Sequence, residues 1–426
     1  MVYTPEKLHT VLSGFPSTNN YVVAYSGGCD SLVLLHSLAS LALPDVSIRA
    51  VYVDHGLQAE SVEWGRQCVQ QALSFDVPCQ IVSVDASPQK AESPEAAARR
   101  ARYKALGNML KPGEILLTAH HADDQAETLL LQLLRGAGAA GLSAMAGTSS
   151  FSAGWHCRPL LGFSRQELEG YAHQHGLNWI EDPSNASIQY DRNFLRHQIT
   201  PLLAKRWPSW QKVLGRAASH QAQLNGLAMD LAALDFNAAC DETKTRLRVE
   251  SLLALGAHRR YNLLRYWIKQ QGLPTPSSQQ LLHVERDVLQ AEVDRVPVVK
   301  WVGAEVRRYR QYLYAMPPLG EIDRAFSAVW DTRQQVALSL PSGTLHVDQL
   351  VKLGVSRHQL DAQPFEVRYR RGGEKIRLKG KSFHRDLKSL FQEAGVPPWV
   401  RQRIPLLYRG ECLVAVPEFW LSAELD

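Results

Sequence analysis

The stretch Tyr21-Val22-Val23-Ala24-Tyr25-Ser26-Gly27-Gly28-Cys29-Asp30-Ser31 decides how this chain folds. Its first five residues form an apolar run with the character of a buried strand. Two glycines then allow a tight turn, and Ser31–Leu43 continues as an apolar helical stretch. The same unit recurs downstream. Strand-like runs at Arg49–Val53, Gln80–Asp85 and Glu114–Ala119 alternate with helical stretches at Glu60–Phe75, Glu95–Leu110 and Asp123–Arg135. Repeated β–α units of this spacing predict a mostly parallel, doubly wound sheet covered by helices on both faces. Ligands of such sheets bind beyond the carboxyl ends of the strands, so the turns that follow the strands are the places to look for chemistry.

The pattern changes near Gly215. Arg216–Ala239 and Ala257–Gln271 have helical periodicity, and the Pro-rich Met316–Leu319 marks a boundary. Beyond it come strand-like segments at Phe365–Tyr369 and Leu413–Val416, with a helix at Phe383–Glu393. The expected fold class is therefore α/β. An N-terminal sheet domain over 1–215 precedes a helical middle domain over 216–318 and a small, basic α+β domain over 319–426.

Composition sets outer limits. Of 426 residues, 45% are apolar and 21% charged, which excludes a disordered or fibrous chain. The net charge is only +5, but Glu366–Arg409 holds 12 basic and 4 acidic residues. That block favours an anionic partner, with nucleic acid first, although charge alone fits a solvated face equally well. The six cysteines include no CxxC pair, so a zinc knuckle, a CxxC-held cluster and a thioredoxin-type motif lack support. Scattered thiols, the absence of a signal-like N-terminus and the lack of a long apolar run predict a cytoplasmic protein outside any membrane.

Three turns carry candidate chemistry. Ser26-Gly27-Gly28-Cys29-Asp30-Ser31 brings backbone N–H groups, two hydroxyls and a helix N-terminus to one point, which suits phosphate. Asp30 there can contact Mg²⁺ or cap the helix. Val53-Asp54-His55-Gly56-Leu57 ends the second strand and is either a nucleotide-facing group or a simple polar turn. Thr118-Ala119-His120-His121-Ala122-Asp123-Asp124-Gln125-Ala126-Glu127-Thr128 ends the fourth. On a helix His120, Asp124 and Glu127 share one face, where they can bind Mg²⁺ or relay protons. Two other matches lack context. Gly136–Gly141 fits GxGxxG but follows a helix, and Gly380-Lys381-Ser382 has Lys375 where a Walker A loop needs glycine.

SGGCDS resembles the pyrophosphate-binding loop of the ATP pyrophosphatase superfamily, whose adenine-nucleotide α-hydrolase-like domains cleave ATP between its α and β phosphates. VDHGL, TAHHADDQAET, Arg158-Pro159-Leu160-Leu161, Asp182-Pro183-Ser184-Asn185 and Asp191-Arg192-Asn193-Phe194-Leu195-Arg196 follow in order. With Arg370-Arg371-Gly372-Gly373-Glu374-Lys375-Ile376, Arg385-Asp386-Leu387-Lys388 and Pro397-Pro398-Trp399, the pattern resembles the tRNA(Ile)-lysidine synthase branch over nearly the whole chain. Gln58 departs from it, standing where a basic residue is expected after DHGL.

That resemblance implies ATP-dependent attachment of free L-lysine to carbon 2 of the wobble cytidine of a tRNA(Ile) with a CAU anticodon. Cytosine O2 attacks the α-phosphorus, pyrophosphate leaves, and the lysine amine then displaces AMP. It further implies that Ser26, Gly27, Gly28, Cys29, Asp30 and Ser31, with Asp54 and His55, hold ATP, and that Asp30 contacts Mg²⁺. His120, Asp124 and Glu127 bind metal, bind the lysine ammonium or accept its proton. Arg99, Arg102, Asn185, Arg192, Arg196, Arg370, Arg371, Lys375, Arg385 and Lys388 are the candidates for nucleotide and tRNA. No stable protein partner is indicated. Three rivals are weaker. A tRNA thiolase generally needs a cluster-binding CxxC or a sulfur-carrying cysteine, and here Cys29 lies within the loop. A small-molecule ligase leaves the basic block unexplained, and a non-catalytic RNA-binding protein leaves both the loop and the HHADD cluster unexplained.

Overall fold

The computed structural model describes residues 2–425 except 57, 59, 90–91, 184–186 and 293–294. The chain divides into two compact units, Met1–Ala228 and Met229–Asp426. The first contains α1 (Pro5–Leu12), β1 (Asn20–Ala24), α2 (Cys29–Ser40), β2 (Ser47–Asp54), α3 (Ser61–Leu73), β3 (Cys79–Ser83), α4 (Pro94–Met109), β4 (Ile115–Leu117) and α5 (Ala122–Leu134). After a short α6 (Ala139–Leu142) come β5 (Thr148–Phe151), β6 (Gly154–Cys157), α7 (Arg165–Gln174) and α8 (Asp191–Phe194). A π-helical turn, Leu195–Ile199, leads into α9 (Thr200–Arg206) and the long α10 (Trp210–Ala239), within which the division falls.

The strand order is β3-β2-β1-β4-β6-β5, parallel except for the antiparallel edge strand β5. Side-chain alternation in β1 explains its central place. Tyr21 and Val23 join the core that contains Leu32, Leu35 and Leu38 of α2, while Val22 packs with Leu106, Leu110 and Leu116 in a second core. Both faces are covered, as a parallel strand requires. The chain order reverses between β1 and β4, so the crevice of a doubly wound sheet opens where the SGGCDS and HHADD turns emerge.

Two strands of the first unit do not follow from the sequence pattern. β5 and β6 are four residues each, and Gly154-Trp155-His156-Cys157 shows no clean alternation of apolar and polar residues. In the second unit, helices Val249–Ala254, Ala257–Gln270 and Ser278–His283 pack with a four-stranded antiparallel sheet. One of those strands, Arg246-Leu247-Arg248, buries only its central residue, too little for a recognisable pattern. A five-stranded antiparallel sheet follows, holding Ser327–Trp330, Phe365–Arg368, Leu406–Arg409, Cys412–Val416 and Trp420–Leu421. The expected helix over Phe383–Glu393 begins only at Leu387, because Arg385–Asp386 pairs as a strand with Lys375–Ile376. No helix among the described residues is long and apolar enough to cross a membrane.

Candidate active site

Gly28 caps α2 without any side-chain hydrogen bond, which leaves the first N–H groups of a 12-residue helix open. Ser31 Oγ donates to the Gly28 carbonyl at 3.0 Å and accepts from Ser26 N at 3.2 Å, tying the turn to its helix. Gly27 has φ of +81°, and a Cβ there would stand 2.6 Å from Ile180 Cδ1 and 2.8 Å from Cys68 Sγ. Only glycine fits this position. The loop is thus an anion cradle with its charge complement supplied by backbone. Cys29 is buried, and burial pushes its thiol up to about 12, so it stays protonated.

The turn after β4 lies beside this loop. His121, 2% exposed, sits among three carboxylates: Asp30 Oδ2 at 3.5 Å, Asp124 Oδ2 at 3.4 Å and Asp123 Oδ2 at 3.6 Å. Burial opposes its protonation, yet Asp124, Asp123 and Asp30 together raise it to about 10. Asp123 also accepts from Arg165 N at 2.9 Å and Gln211 Nε2 at 3.1 Å, which joins α5, α7 and α10. The charged histidine of the pair is therefore His121, which the sequence reading left without a role.

His120, Asp124 and Glu127 do not share a helix face as expected. α5 begins at Ala122, so His120 lies in the preceding turn, with Nδ1 2.8 Å from Thr118 Oγ1. Burial lowers its imidazole to about 4, so the ring is neutral near pH 7. Asp124 and Glu127 are joined by Arg196, whose Nη2 lies 3.2 Å from Asp124 Oδ1 and whose Nε lies 2.8 Å from Glu127 Oε1. Arg192 Nε stands 3.4 Å from Glu127 Oε2. Arg196 reaches inward from the π-helical turn after α8, a local widening of the kind often found at functional sites. Burial pushes the Glu127 carboxyl up, against the pull of Arg196 and Arg192.

Thr118 Oγ1 also lies 2.8 Å from His156 Nε2, and His156 Nδ1 lies 3.2 Å from Arg158 Nη2. His156 is fully enclosed, and burial with the nearby Arg158 depresses it to about 3. Because His156 is on the unforeseen strand β6, the link between Arg158 and the Thr118–His120 turn was not visible in the sequence.

A cleft of about 330 Å³ runs from the loop along the strand ends. Ser26, Gly28, Asp30 and Ser31 line one part, and Val51, Val53, Trp64, Leu106 and Ile180 supply an apolar part. Arg99, Arg102, His55 and His120 border it, with the Arg99 guanidinium over the Tyr103 ring at 5.1 Å. The combination of apolar walls and a few polar groups suits a nucleotide. Asp54 is not among the lining residues. Its Oδ1 accepts from Gly56 N at 2.9 Å and so holds its own turn. Asn185 lies outside the described residues.

In the second unit the basic candidates separate into two groups. Arg370 pairs with Glu374 at 3.1 Å, Arg385 pairs with Glu393, and Arg371 Nε donates to the Arg324 carbonyl at 3.0 Å. Lys375 and Lys388 are exposed, as are Lys379 and Lys381, and Phe383 stands out beside them. Trp399 is not an exposed stacking platform. It is 6% exposed, wedged against Tyr309 and Tyr314 with Arg307 at 5.2 Å from its ring.

Among the described residues no three His, Cys, Asp or Glu side chains form a metal cage. Asp30 Oδ1, however, is buried with no hydrogen-bond partner. One unclaimed carboxylate oxygen beside a phosphate cradle fits Mg²⁺, which commonly binds one or two carboxylates plus substrate phosphates.

Residues 4–203 match the PP-loop domain family, which makes the first unit an ATP-using domain of that class. Residues 247–314 match the TilS substrate binding domain and 365–426 the TilS substrate C-terminal domain. The chain is 41% identical to the tRNA(Ile)-lysidine synthase of Methylococcus capsulatus, across 98% of this chain and 95% of that one. It is 42% identical to that of Alkalilimnicola ehrlichii across 97% and 92%, and 38% identical to that of Coxiella burnetii across 97% and 92%. The chain belongs to the tRNA(Ile)-lysidine synthase family.

Proposed function

We propose that the protein joins free L-lysine to C2 of the wobble cytidine in a CAU-anticodon tRNA(Ile), converting ATP to AMP and pyrophosphate. The observation that carries this reading is the meeting, at adjacent strand ends, of an anion cradle and an Asp124–Arg196–Glu127 cluster in which Glu127 is buried and its two partners are half-buried. The cradle and the open N-terminus of α2 receive the triphosphate. Arg99 and Arg102 line the cleft, and in this reading they meet the base or a tRNA phosphate. Cytosine O2 forms a bond to the α-phosphorus while the bond to the β-phosphate oxygen breaks. Mg²⁺, held by Asp30, supplies neutralisation of phosphate charge when bound.

The lysine amine must lose a proton before it attacks C2 and expels AMP. Glu127 is the better acceptor, because burial raises its carboxyl, while Asp124 holds the ammonium. His121 is already charged and cannot take that proton. Because Cys29 is a buried, protonated thiol, sulfur transfer from the loop is disfavoured.

The expected organisation remains 1–215 for catalysis, with 216–318 and 319–426 gripping the tRNA through exposed cations. Six free cysteines fit a cytoplasmic setting. The test is pyrophosphate–ATP exchange with and without tRNA(Ile), followed by incorporation of labelled lysine. Exchange that requires a tRNA with C at the wobble position, and labelling lost on its replacement by U, are expected. Exchange without tRNA, or no lysine in the RNA, would remove this function.

A further inference from the structure

The Arg158–His156–Thr118–His120 chain has one consistent direction. Guanidinium groups only donate, so His156 Nδ1, 3.2 Å from Arg158 Nη2, must be an acceptor. His156 is neutral, which places its single ring proton on Nε2, the atom 2.8 Å from Thr118 Oγ1. Thr118 is buried and receives that bond, so its own hydroxyl proton needs an acceptor. His120 Nδ1 stands 2.8 Å away and takes it. The remaining ring proton of His120 is then on Nε2, and the residue lines the cleft with Ser26, Gly28 and Asp30.

We propose that His120 is a fixed, neutral hydrogen-bond donor to the α-phosphate oxygens of ATP during adenylation, set in that tautomer by the positioning residues Thr118, His156 and Arg158. The inference rests on the adenylating function above. It removes two roles that the sequence left open for His120. With Nδ1 engaged by Thr118 and Nε2 protonated, the ring has no lone pair for a metal and none for a substrate proton. The depressed basicity of the ring agrees, since a group titrating near 4 is a poor base at neutral pH. A neutral donor aimed at developing negative charge stabilises the transition state without a proton changing hands. The O2–phosphorus bond forms, the bond to the β-phosphate oxygen breaks, and the imidazole proton stays on its nitrogen throughout.

The tautomer can be read directly. In full-length protein labelled with ¹⁵N-histidine, the wild type is expected to show an Nε2–H pattern for His120, assigned by its loss in His120→Gln. Thr118→Val keeps the shape but removes the hydroxyl, and should convert His120 to a mixture of tautomers. It should lower the rate of tRNA-dependent pyrophosphate release on the order of tenfold, with the KM for ATP little changed. Thr118→Ser should restore both signals. An Nδ1–H pattern in the wild type, or a Thr118→Val enzyme with wild-type pyrophosphate release, overturns the proposal. If the wild type itself releases no pyrophosphate with tRNA, the adenylating function fails, whereas the NMR pattern reports on the relay by itself.

Discussion

Arg196 holds Glu127 through two hydrogen bonds, of 2.8 and 3.0 Å, across 69 residues of chain. The pair is charge-assisted and bidentate, and its carboxylate is 1% exposed. Arg196→Ala strands that buried charge and should cost about 3 kcal/mol of stability in the first unit. Glu127→Gln keeps the shape, so it should fold normally, yet lose lysine transfer by roughly a hundredfold or more. Pyrophosphate release should persist, so adenylated tRNA should build up. Both products can be followed in one assay with labelled ATP and lysine. Unchanged turnover in Glu127→Gln would make the cluster a structural ion pair.

Asp30→Asn removes the negative charge beside the phosphate cradle and nearly preserves side-chain volume. Adenylation should fall on the order of a hundredfold, while tRNA affinity, measured by filter binding, should hardly move. Titrating Mg²⁺ should shift the activity curve of the variant to higher concentration. Wild-type pyrophosphate release in Asp30→Asn would take this carboxylate out of the mechanism.

Gly27 and Gly28 are adjacent but unequal. A methyl at Gly27 meets Ile180 and Cys68 below 3.0 Å at φ of +81°, whereas at Gly28 the nearest atom is 3.7 Å away. Gly27→Ala should therefore destabilise the protein by about 1–3 kcal/mol and weaken ATP binding. Gly28→Ala should leave the melting temperature close to wild type. Equal melting temperatures for the two variants would contradict the packing described around Gly27.

The parallel sheet was readable because each of its first four strands is a short apolar run closed by a polar turn. The phosphate loop was readable because its glycines and serines are contiguous. What stayed hidden depends on contacts distant in sequence. His120 and His121 are indistinguishable in a string of letters; Asp124, Asp123 and Asp30 overcome burial to give His121 a charge, while burial leaves His120 neutral. Likewise His156 enters the site only because β6 pairs with β4. The basic block of the second unit was visible as charge, but pairing decides which cations are available.

That pairing changes how the basic block should be tested. Cutting the chain before Glu366 would remove four strands of the five-stranded sheet and unfold it. Replacing the exposed Lys375, Lys379, Lys381 and Lys388 with Gln leaves the fold intact. At roughly 0.7–0.9 per phosphate contact, the slope of log K against log salt should fall by about 3 for tRNA. ATP binding should stay as it was. A quadruple variant with the wild-type salt slope would show these lysines to be a solvated surface.

Asp241 provides a pH test of the second unit. It accepts from Thr245 N and Arg246 N, each at 3.1 Å, and from Arg246 Nε at 2.8 Å. Burial opposes ionisation, but these bonds and that of Thr243 hold the carboxyl down at about 2. A depressed carboxylate stabilises the fold above its unfolded pKa, near 4, and loses that contribution as pH falls towards 2. Asp241→Asn should thus cost about 1–2 kcal/mol at pH 7, and the gap should close in melts between pH 4 and 2. A constant gap over that range would place the effect in packing rather than charge.

Most of the six cysteine thiols are shielded. Cys29, Cys68, Cys157 and Cys240 are buried and Cys79 is half-buried, while Cys412 faces solvent in the C-terminal sheet. A thiol-reactive dye applied to the native protein should therefore label Cys412 first and leave the sulfur in the phosphate loop alone. The molecule carries its own attachment point for a fluorophore, in the unit that holds the exposed lysines, so capture and release of tRNA can be watched one molecule at a time without altering a single residue.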